Sequence, residues 1–493
     1  MLGALYRPSL ALATDFYQLT MAAAAFESGM AGYEAAFTVS FRRNPFRGGF
    51  AVAAGLETAL ELVEQFRFDE DDLAWLAAQE DARGAPLFSP AFLEYLRGLE
   101  LAIDLDAVPE GTPVFPYEPL LRVRGPIVAC MLLETPLLTV VNFQTLVATK
   151  AARVCQAARG APVLEFGMRR AQGFDGAVSA ARAAYVGGVA ATSNALAGRL
   201  LGIPAKGTHA HSWVMLFDDE REAFEAYARA MPGNCILLVD TYDSLEGVRR
   251  AIEVGRWLRE NGSELLGVRL DSGDLAWLSQ QARRMLDDAG FPKAQVYASN
   301  ELDEHIVESL IDQDAAIGVW GVGTRLVTCM PDAALGGVYK LGAVRPPGKG
   351  WVQRVKISEQ AAKTSIPGLL QIRRFRRDGK ILADMIWDEL QGPPPQQATI
   401  IDPVDHTRRR EIPAGTASED LLVPAVRAGR VVYARPTLAE IRARSQAELS
   451  GLHAGVRRFV NPHQLPVGLE RRLFDLRTNL VLEARGLASR EGG

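Results

Sequence analysis

The sequence predicts an α/β protein whose centre is a (β/α) barrel or part of one. Three observations predict it: seven short apolar runs between residues 162 and 325, amphipathic segments between the later runs, and polar residues gathered at the end of each run. Short apolar runs closed by turn formers read as buried strands, and strand–helix–strand units recurring every thirty residues or so read as parallel βαβ units. Such units close into a barrel with a shared rim of chemistry at the C-terminal strand ends. A doubly wound open sheet is the alternative, and it too puts its site there.

In chain order, residues 1–130 mix a helical stretch, AGLETALELVEQF (54–66), with extended segments such as EAAFTVSFRR and a β-hairpin region, TPVFPYEPLLRVRGP, punctuated by prolines. The seven runs follow: PVLEFG (162–167), GGVAATSN (187–194), PAKGTHAHS (204–212), CILLVDTYDS (235–244), LLGVRLDSGD (265–274), AQVYASNELD (294–303) and AAIGVWGVGTR (315–325). Between the last four lie three helices. SLEGVRRAIEVGRWLRENG starts at the N-cap candidate Ser244 and stops at Gly262, DLAWLSQQARRMLDDAG stops at Gly290, and LDEHIVESLIDQ fills the third gap. Leu275, Leu278, Ala282, Met285 and Leu286 recur at helical spacing. Beyond residue 345, PPGKG marks a loop, LLQIRRFRRDGKILADMIW a hairpin turning at Asp378-Gly379, QGPPPQQ (391–397) a proline-rich connection and TLAEIRARSQAELSGL (437–452) a helix. This divides the chain into an N-terminal α/β domain (1–130), a barrel-like catalytic domain (131–345) and a C-terminal region (346–493) packing on the other two.

Composition narrows the function classes. With 54 basic and 59 acidic residues the net charge is −5, too balanced for a general polyanion surface, so nucleic acid is not an expected partner. The longest apolar stretch, Val128 to Phe143, is broken by Glu134, Pro136 and Asn142, and the N-terminus meets Asp15 before any long apolar segment forms. A soluble, cytoplasmic protein with no membrane partner is expected. Cys130, Cys155, Cys235 and Cys329 are widely separated and form no CxxC pair, as reduced, buried thiols do.

Each strand end offers chemistry. His209 and His211 in GTHAHS stand two apart, so strand alternation would put both on one face. That pattern suits a metal site, a catalytic imidazole oriented by a carboxylate, or a hydrogen-bonded structural pair. RLDSGD places Arg269, Asp271 and Ser272 ahead of a helix, where they could meet ribose hydroxyls and phosphate, or where Ser272 or Asp274 could cap the helix. The glycines of GVWGVGTR, with Thr324, expose amides that can cradle phosphate, although a tight turn also needs glycine. In FGMRRAQG, Phe166 could stack on a flat ring and Arg169 or Arg170 bind an anion. Together these suit a phosphorylated sugar plus a flat heterocycle.

In order along the chain, ATDFYQLTM, NFQTLVATKAAR, EFGMRRAQG, ATSNALAG, GIPAKGTHAHS, VDTYDS, RLDSGD, SNELDE, GVGTR, LGGVYKL and NPHQLPVGLE resemble nicotinate phosphoribosyltransferase, of the type II phosphoribosyltransferase fold. The resemblance implies an incomplete (β/α) barrel of about seven strands, an N-terminal α/β domain completed by later segments, and a homodimer with shared active sites. It implies the union of nicotinate with 5-phosphoribosyl 1-diphosphate to give nicotinate mononucleotide and diphosphate, coupled to ATP hydrolysis in NAD salvage. Departure of diphosphate leaves an oxocarbenium-like ribose, so Mg²⁺ is the expected cofactor. By resemblance, His211 is the histidine phosphorylated by ATP and Asp271 its partner or the ribose contact. Phe166 and the partner subunit's Tyr17 sandwich the pyridine; Arg169 and Arg269 bind ring substituent and phosphates; Gly321, Gly323 and Thr324 hold the 5-phosphate; and Thr192, Ser193, Ser212 and Ser272 complete the substrate contacts.

Two positions depart from the family pattern: Ala191 stands for glycine and His209 for methionine. In nicotinamide-using relatives an acidic residue follows the second strand, whereas Ala191-Thr192-Ser193-Asn194 carries none, which favours the anionic nicotinate. A nicotinamide phosphoribosyltransferase and a catalytically silent phosphosugar-binding barrel are the alternatives. Retention of His211, Asp271, Arg269 and the glycine loop together argues against silence.

Overall fold

Six of the seven apolar runs form one parallel sheet. Its spatial order is Ala191–Thr192, Val163–Glu165, Val319–Val322, Gln295–Ala298, Gly267–Leu270, Ile236–Leu238. The first strand in the chain pairs with the last, so the order is cyclic with a single break between the second and third strands, a half-barrel rather than a doubly wound sheet. The missing run, 204–212, is where the break falls. It holds the sheet at one point only, Ala205 bridging Thr192 in parallel. Gly207 and the turn into the helix His211–Val214 cut the run short of a strand. The expectation that alternation sets His209 and His211 on one face therefore fails.

The computed structural model describes residues 10–487, and the chain divides into two units. The half-barrel unit spans Leu146–Ala333 and Leu438–Gln446. Helices Gly173–Val186, Glu220–Ala230, Ser244–Glu260, Leu275–Asp288 and Glu304–Asp312 alternate with its strands. Leu238, Val268, Ala298 and Trp320 are buried in its core. Helix Glu304–Asp312 is held by a buried charge cluster, Glu304 reaching Lys150 Nζ at 2.5 Å and Arg153 Nε at 2.8 Å. That accounts for the ATKAAR and SNELDE motifs as mutual packing partners.

The other unit comprises the chain through Thr145, Ala334–Thr437 and the chain from Ala447. It contains a seven-stranded antiparallel sheet in which Glu34–Ser40 pairs with both Leu121–Pro126 and the much later Val338–Arg345, while Asp104–Ala107 pairs with Val423–Arg427. A six-stranded sheet is built from late segments alone: Arg409–Ile412, Ala398–Ile401, Val467–Glu470, Lys380–Asp388, Leu370–Arg377 and Ala417–Asp420, in that order. The hairpin at Asp378-Gly379 forms as expected, because both turn residues take positive φ, 50° and 72°, as a two-residue turn between twisted strands requires. The TPVFPYEPLLRVRGP hairpin does not: Pro113–Val114 pairs with Ala51–Val52 and Leu121–Pro126 pairs elsewhere. Pro113, Pro116 and Pro119 remove the ladder donors a local hairpin needs. Among the described residues no helix is long and apolar enough to cross a membrane, and all four cysteines are free.

Candidate active site

Three successive strands end in the same local pattern: Asp240-x-x-Asp243, Asp271-x-x-Asp274 and Asn300-x-x-Asp303. In each, the second acid caps the following helix. Asp243 accepts from the Glu246 amide at 2.8 Å, Asp274 from Trp277 at 3.1 Å, and Asp303 from His305 and Ile306 at 3.0 and 2.9 Å. The helix expected to start with Ser244 as cap is thus capped one residue earlier, and Ser272 is released from capping. The first residue of each pattern takes no part in the cap and is left at the strand end.

There the groups converge. Asp240 Oδ2 accepts the Asp271 amide at 2.8 Å and the Ser272 hydroxyl at 2.7 Å. Its other oxygen, Oδ1, is buried without a hydrogen bond and lies 4.0 Å from His211 Nε2. The His211 ring is fixed on its far side by Thr241 Oγ1, 3.1 Å from Nδ1, while its side chain stays 40% exposed. An imidazole that solvent or substrate can reach is thereby aimed at a carboxylate that cannot leave. Asp271 sits one strand over, its carboxylate accepting from the Ser299 hydroxyl. The carboxylate facing His211 is Asp240's.

His209 behaves oppositely. Its Nε2 accepts the Leu238 amide at 3.2 Å across the break in the half-barrel, and its ring packs on Tyr227 at 4.8 Å. Burial, with the positive field of Arg269 and His211 behind it, pulls its pKa down to about 4, so the ring is neutral and structural. A HxH metal pair is excluded by that engagement. Arg269 donates to Thr208 Oγ1 at 2.6 Å and to the His209 carbonyl at 2.9 Å, which leaves its buried Nε–H without a partner. Burial lowers the pKa of Arg269, opposed by Asp271 and Asp240.

The first and last strands meet at Phe166. Its amide donates to the Val322 carbonyl at 2.9 Å, and its ring edge packs against Gly321, where a Cβ would sit 2.8 Å from Phe166 Cδ2. Only glycine admits the ring there. Gly323 follows, with the Phe166 carbonyl 3.1 Å from where a Cβ would stand, and Thr324 Oγ1 donates to Glu301 at 2.9 Å. Arg169 is exposed on the turn Met168–Arg170, Ser193 and Ser212 are exposed, and Thr192 is fully buried with its hydroxyl donating to Glu165 at 2.5 Å. Tyr17 lies in the other unit, 52% exposed on helix Phe16–Glu27. Glu165, whose pKa burial raises, ties Thr192 and the Gly167 amide together beneath the site.

Thr241, Ser299 and Glu301 are the participants that sequence reasoning passed over, and Asp240, one of the strand-end acids of VDTYDS, was given no role by it. The signal was present in the repeated spacing, which separates the strand-end acid from the capping acid. Among the described residues no group of three or more His, Cys, Asp or Glu is arranged to hold a metal ion. Mg²⁺ does not require one, since it binds through one or two carboxylates plus substrate phosphates. Asp240, with its unclaimed Oδ1, and Asp271 fit that demand.

A parallel half-barrel whose rim holds an accessible imidazole, two carboxylates, a glycine turn and buried arginine defines an α/β transferase-type site for an anionic substrate. Residues 12–142 match the nicotinate phosphoribosyltransferase (NAPRTase) N-terminal domain and residues 371–477 its C-terminal domain. The chain is 41% identical to "Nicotinate phosphoribosyltransferase" of Bacillus subtilis (strain 168), over 98% of this chain and 97% of that one. It is 36% identical to the protein of the same name from Caenorhabditis elegans, covering 96% and 93%. The crystal structure of human nicotinic acid phosphoribosyltransferase superposes with a TM-score of 0.83 at 34% identity, covering 95% of this chain and 99% of that one. The chain belongs to the nicotinate phosphoribosyltransferase family.

Proposed function

We propose that the chain joins nicotinate to 5-phosphoribosyl 1-diphosphate, releasing nicotinate mononucleotide and diphosphate, with ATP hydrolysis coupled to the transfer. The observation that carries the reading is the pairing of accessible His211 with the buried, half-unpartnered carboxylate of Asp240. An imidazole so placed takes the terminal phosphoryl group of ATP, its N–P bond forming as the bond to ADP breaks, and the carboxylate stabilises the charge that develops on the ring. His209, with Nε2 accepting a backbone amide, is not available for that step. Asp240 and Asp271 would hold Mg²⁺, which supplies charge neutralisation for the departing diphosphate. Phe166 stacks on the pyridine, Gly321, Gly323 and Thr324 take the 5-phosphate, and Arg169 and Arg269 meet the anionic groups. Ser193, Ser212 and Ser272 line the rim beside them, while Thr192 acts from beneath through Glu165.

The reading extends to the assembly. Two chains form a cytoplasmic homodimer in which the partner subunit's Tyr17 covers the other face of the pyridine, and the run 204–212 serves as the seventh stave of each barrel. Nicotinate is preferred to nicotinamide, as the names of the relatives and the absence of an acid in 191–194 support. The test is mononucleotide formation from either pyridine with Mg²⁺, with and without ATP. His211→Ala should abolish ATP stimulation and acid-labile phosphate on the protein. Mixed Tyr17→Ala and His211→Ala chains should regain activity on subunit exchange. Phosphate incorporation that survives in His211→Ala, or equal use of both pyridines, would sink the reading.

A further inference from the structure

The six-stranded sheet carries many arginines, and on the strand Leu370–Arg377, next to one edge, they are paired. Arg373 meets Asp420 at 2.8 Å, Arg374 meets Asp384 at 2.5 Å, and Arg376 meets Glu419 and Glu448, both at 2.8 Å. At the opposite edge the pairing stops. A cleft of about 710 Å³ opens beside the edge strand Arg409–Ile412, walled on its other side by the NPHQLPV segment that leads into Val467–Glu470. Arg408, Arg409, Arg410, Arg458 and His463 line it.

The acids within reach are already committed. Asp402 accepts the amides of Val404 and Asp405 at 2.8 and 2.9 Å, closing the turn before the strand. Asp405 accepts from Thr407 and stands 3.6 Å from Arg408, so it serves one guanidinium at most. Arg410 is half-buried and has no acidic partner among the described residues. Arg409 and Arg458 each spend Nε on a backbone carbonyl, of His406 at 3.1 Å and Asn461 at 2.7 Å. Those bonds orient the two guanidinium groups and leave their terminal nitrogens open. Asn461 holds its carbonyl in that place with a positive φ of 47°.

Unpaired cations gathered around a cavity repel one another, and a fork of N–H donors is the geometry that phosphate oxygens fill bidentately. The volume is that of a small-molecule site and exceeds what one inorganic phosphate needs. We propose that this cleft binds a di- or triphosphate group, carried either by free diphosphate or by a nucleotide. The proposal stands apart from the rim chemistry, since none of the lining residues belongs to the half-barrel unit.

Calorimetric titration of the full chain with inorganic diphosphate, and separately with ATP, tests it, using Arg410→Gln/Arg458→Gln and, for the rim, Arg269→Gln. The cleft variant should weaken one diphosphate-binding event at least tenfold while mononucleotide synthesis continues, and the rim variant should spare that event. Tighter binding of ATP than of diphosphate assigns the cleft to nucleotides, and equal binding assigns it to the phosphates alone. A cleft variant that titrates like the unmodified chain overturns the proposal. Should that variant fail to fold, hydrogen exchange on the unmodified chain decides instead: diphosphate or ATP must protect amides in 404–411 and 458–465, and no protection from either refutes the site. Diphosphate binding that persists at the cleft in a chain making no mononucleotide would fail the rim reading alone.

Discussion

The strand ends of the half-barrel and the interior of the six-stranded sheet both bury charge, and they handle it in opposite ways. Inside the sheet, Arg374 and Asp384 are fully buried and face each other at 2.5 Å, with a second bond from Arg374 to the Pro113 carbonyl and Glu448 at 3.7 Å. At the rim, the Asp240 side chain is equally buried, yet one of its oxygens has no hydrogen bond and the ring facing it is a half-exposed histidine 4.0 Å away. A buried charge left partly unpartnered costs stability. Arg374 Nη1 is also without a hydrogen bond, but it has Glu448 beside it, whereas at the rim a substrate or ion is what would complete the set.

Three measurements break or sharpen this contrast. Asp240→Asn keeps the shape and removes the charge. It should lower kcat by about 10⁴-fold, in line with losses seen when the carboxylate orienting a catalytic histidine is neutralised, with little change in thermal stability. A variant that loses stability and keeps its kcat would reverse the assignment of the two regions. Next in size, Arg374→Leu leaves Asp384 buried and unpaired, so unfolding in urea should show a loss of about 3–5 kcal/mol while kcat per folded molecule stays unchanged.

The third concerns His209. Its folded pKa of about 4 lies below the unfolded value near 6.5, so between those values the unfolded chain binds a proton that the folded chain refuses. The stability it contributes is complete above pH 6.5 and declines as pH falls toward 4, by up to about 3 kcal/mol. His209→Gln, which can still accept the Leu238 amide, should flatten that part of the stability–pH curve. An unchanged slope in the variant would show that the ring is not held neutral.

Much of the site was legible because residue types at strand ends are constrained by chemistry. His211, Asp271, Arg269, Phe166 and the glycines all lie on the half-barrel unit's strand ends and turns, where reading runs of apolar residues puts them. The pairing within the site was not legible. Asp240 and Asp271 have the same local pattern, and which of them faces His211 depends on the neighbour order of the strands that carry them. His209 and His211 differ by two positions and by nothing else in local sequence. Their fates separate because the run 204–212 fails to become a full strand, so one ring turns inward to an amide and the other opens a helix at the surface.

The sequence by itself determined the elements: strand runs from apolar residues between turn formers, helices from their spacing and capping acids, and the Asp378-Gly379 hairpin from the two residues that accept positive φ. These are properties of a few neighbouring residues, so local pattern suffices. Tertiary structure alone decided the cyclic strand order with its one break, the pairing of Glu34–Ser40 with Val338–Arg345 some three hundred residues later, and the buried polar atoms left open at the rim, Asp240 Oδ1 and Arg269 Nε among them. Register, burial and the dielectric around a charge are set by residues distant in the chain, and no local pattern carries that information.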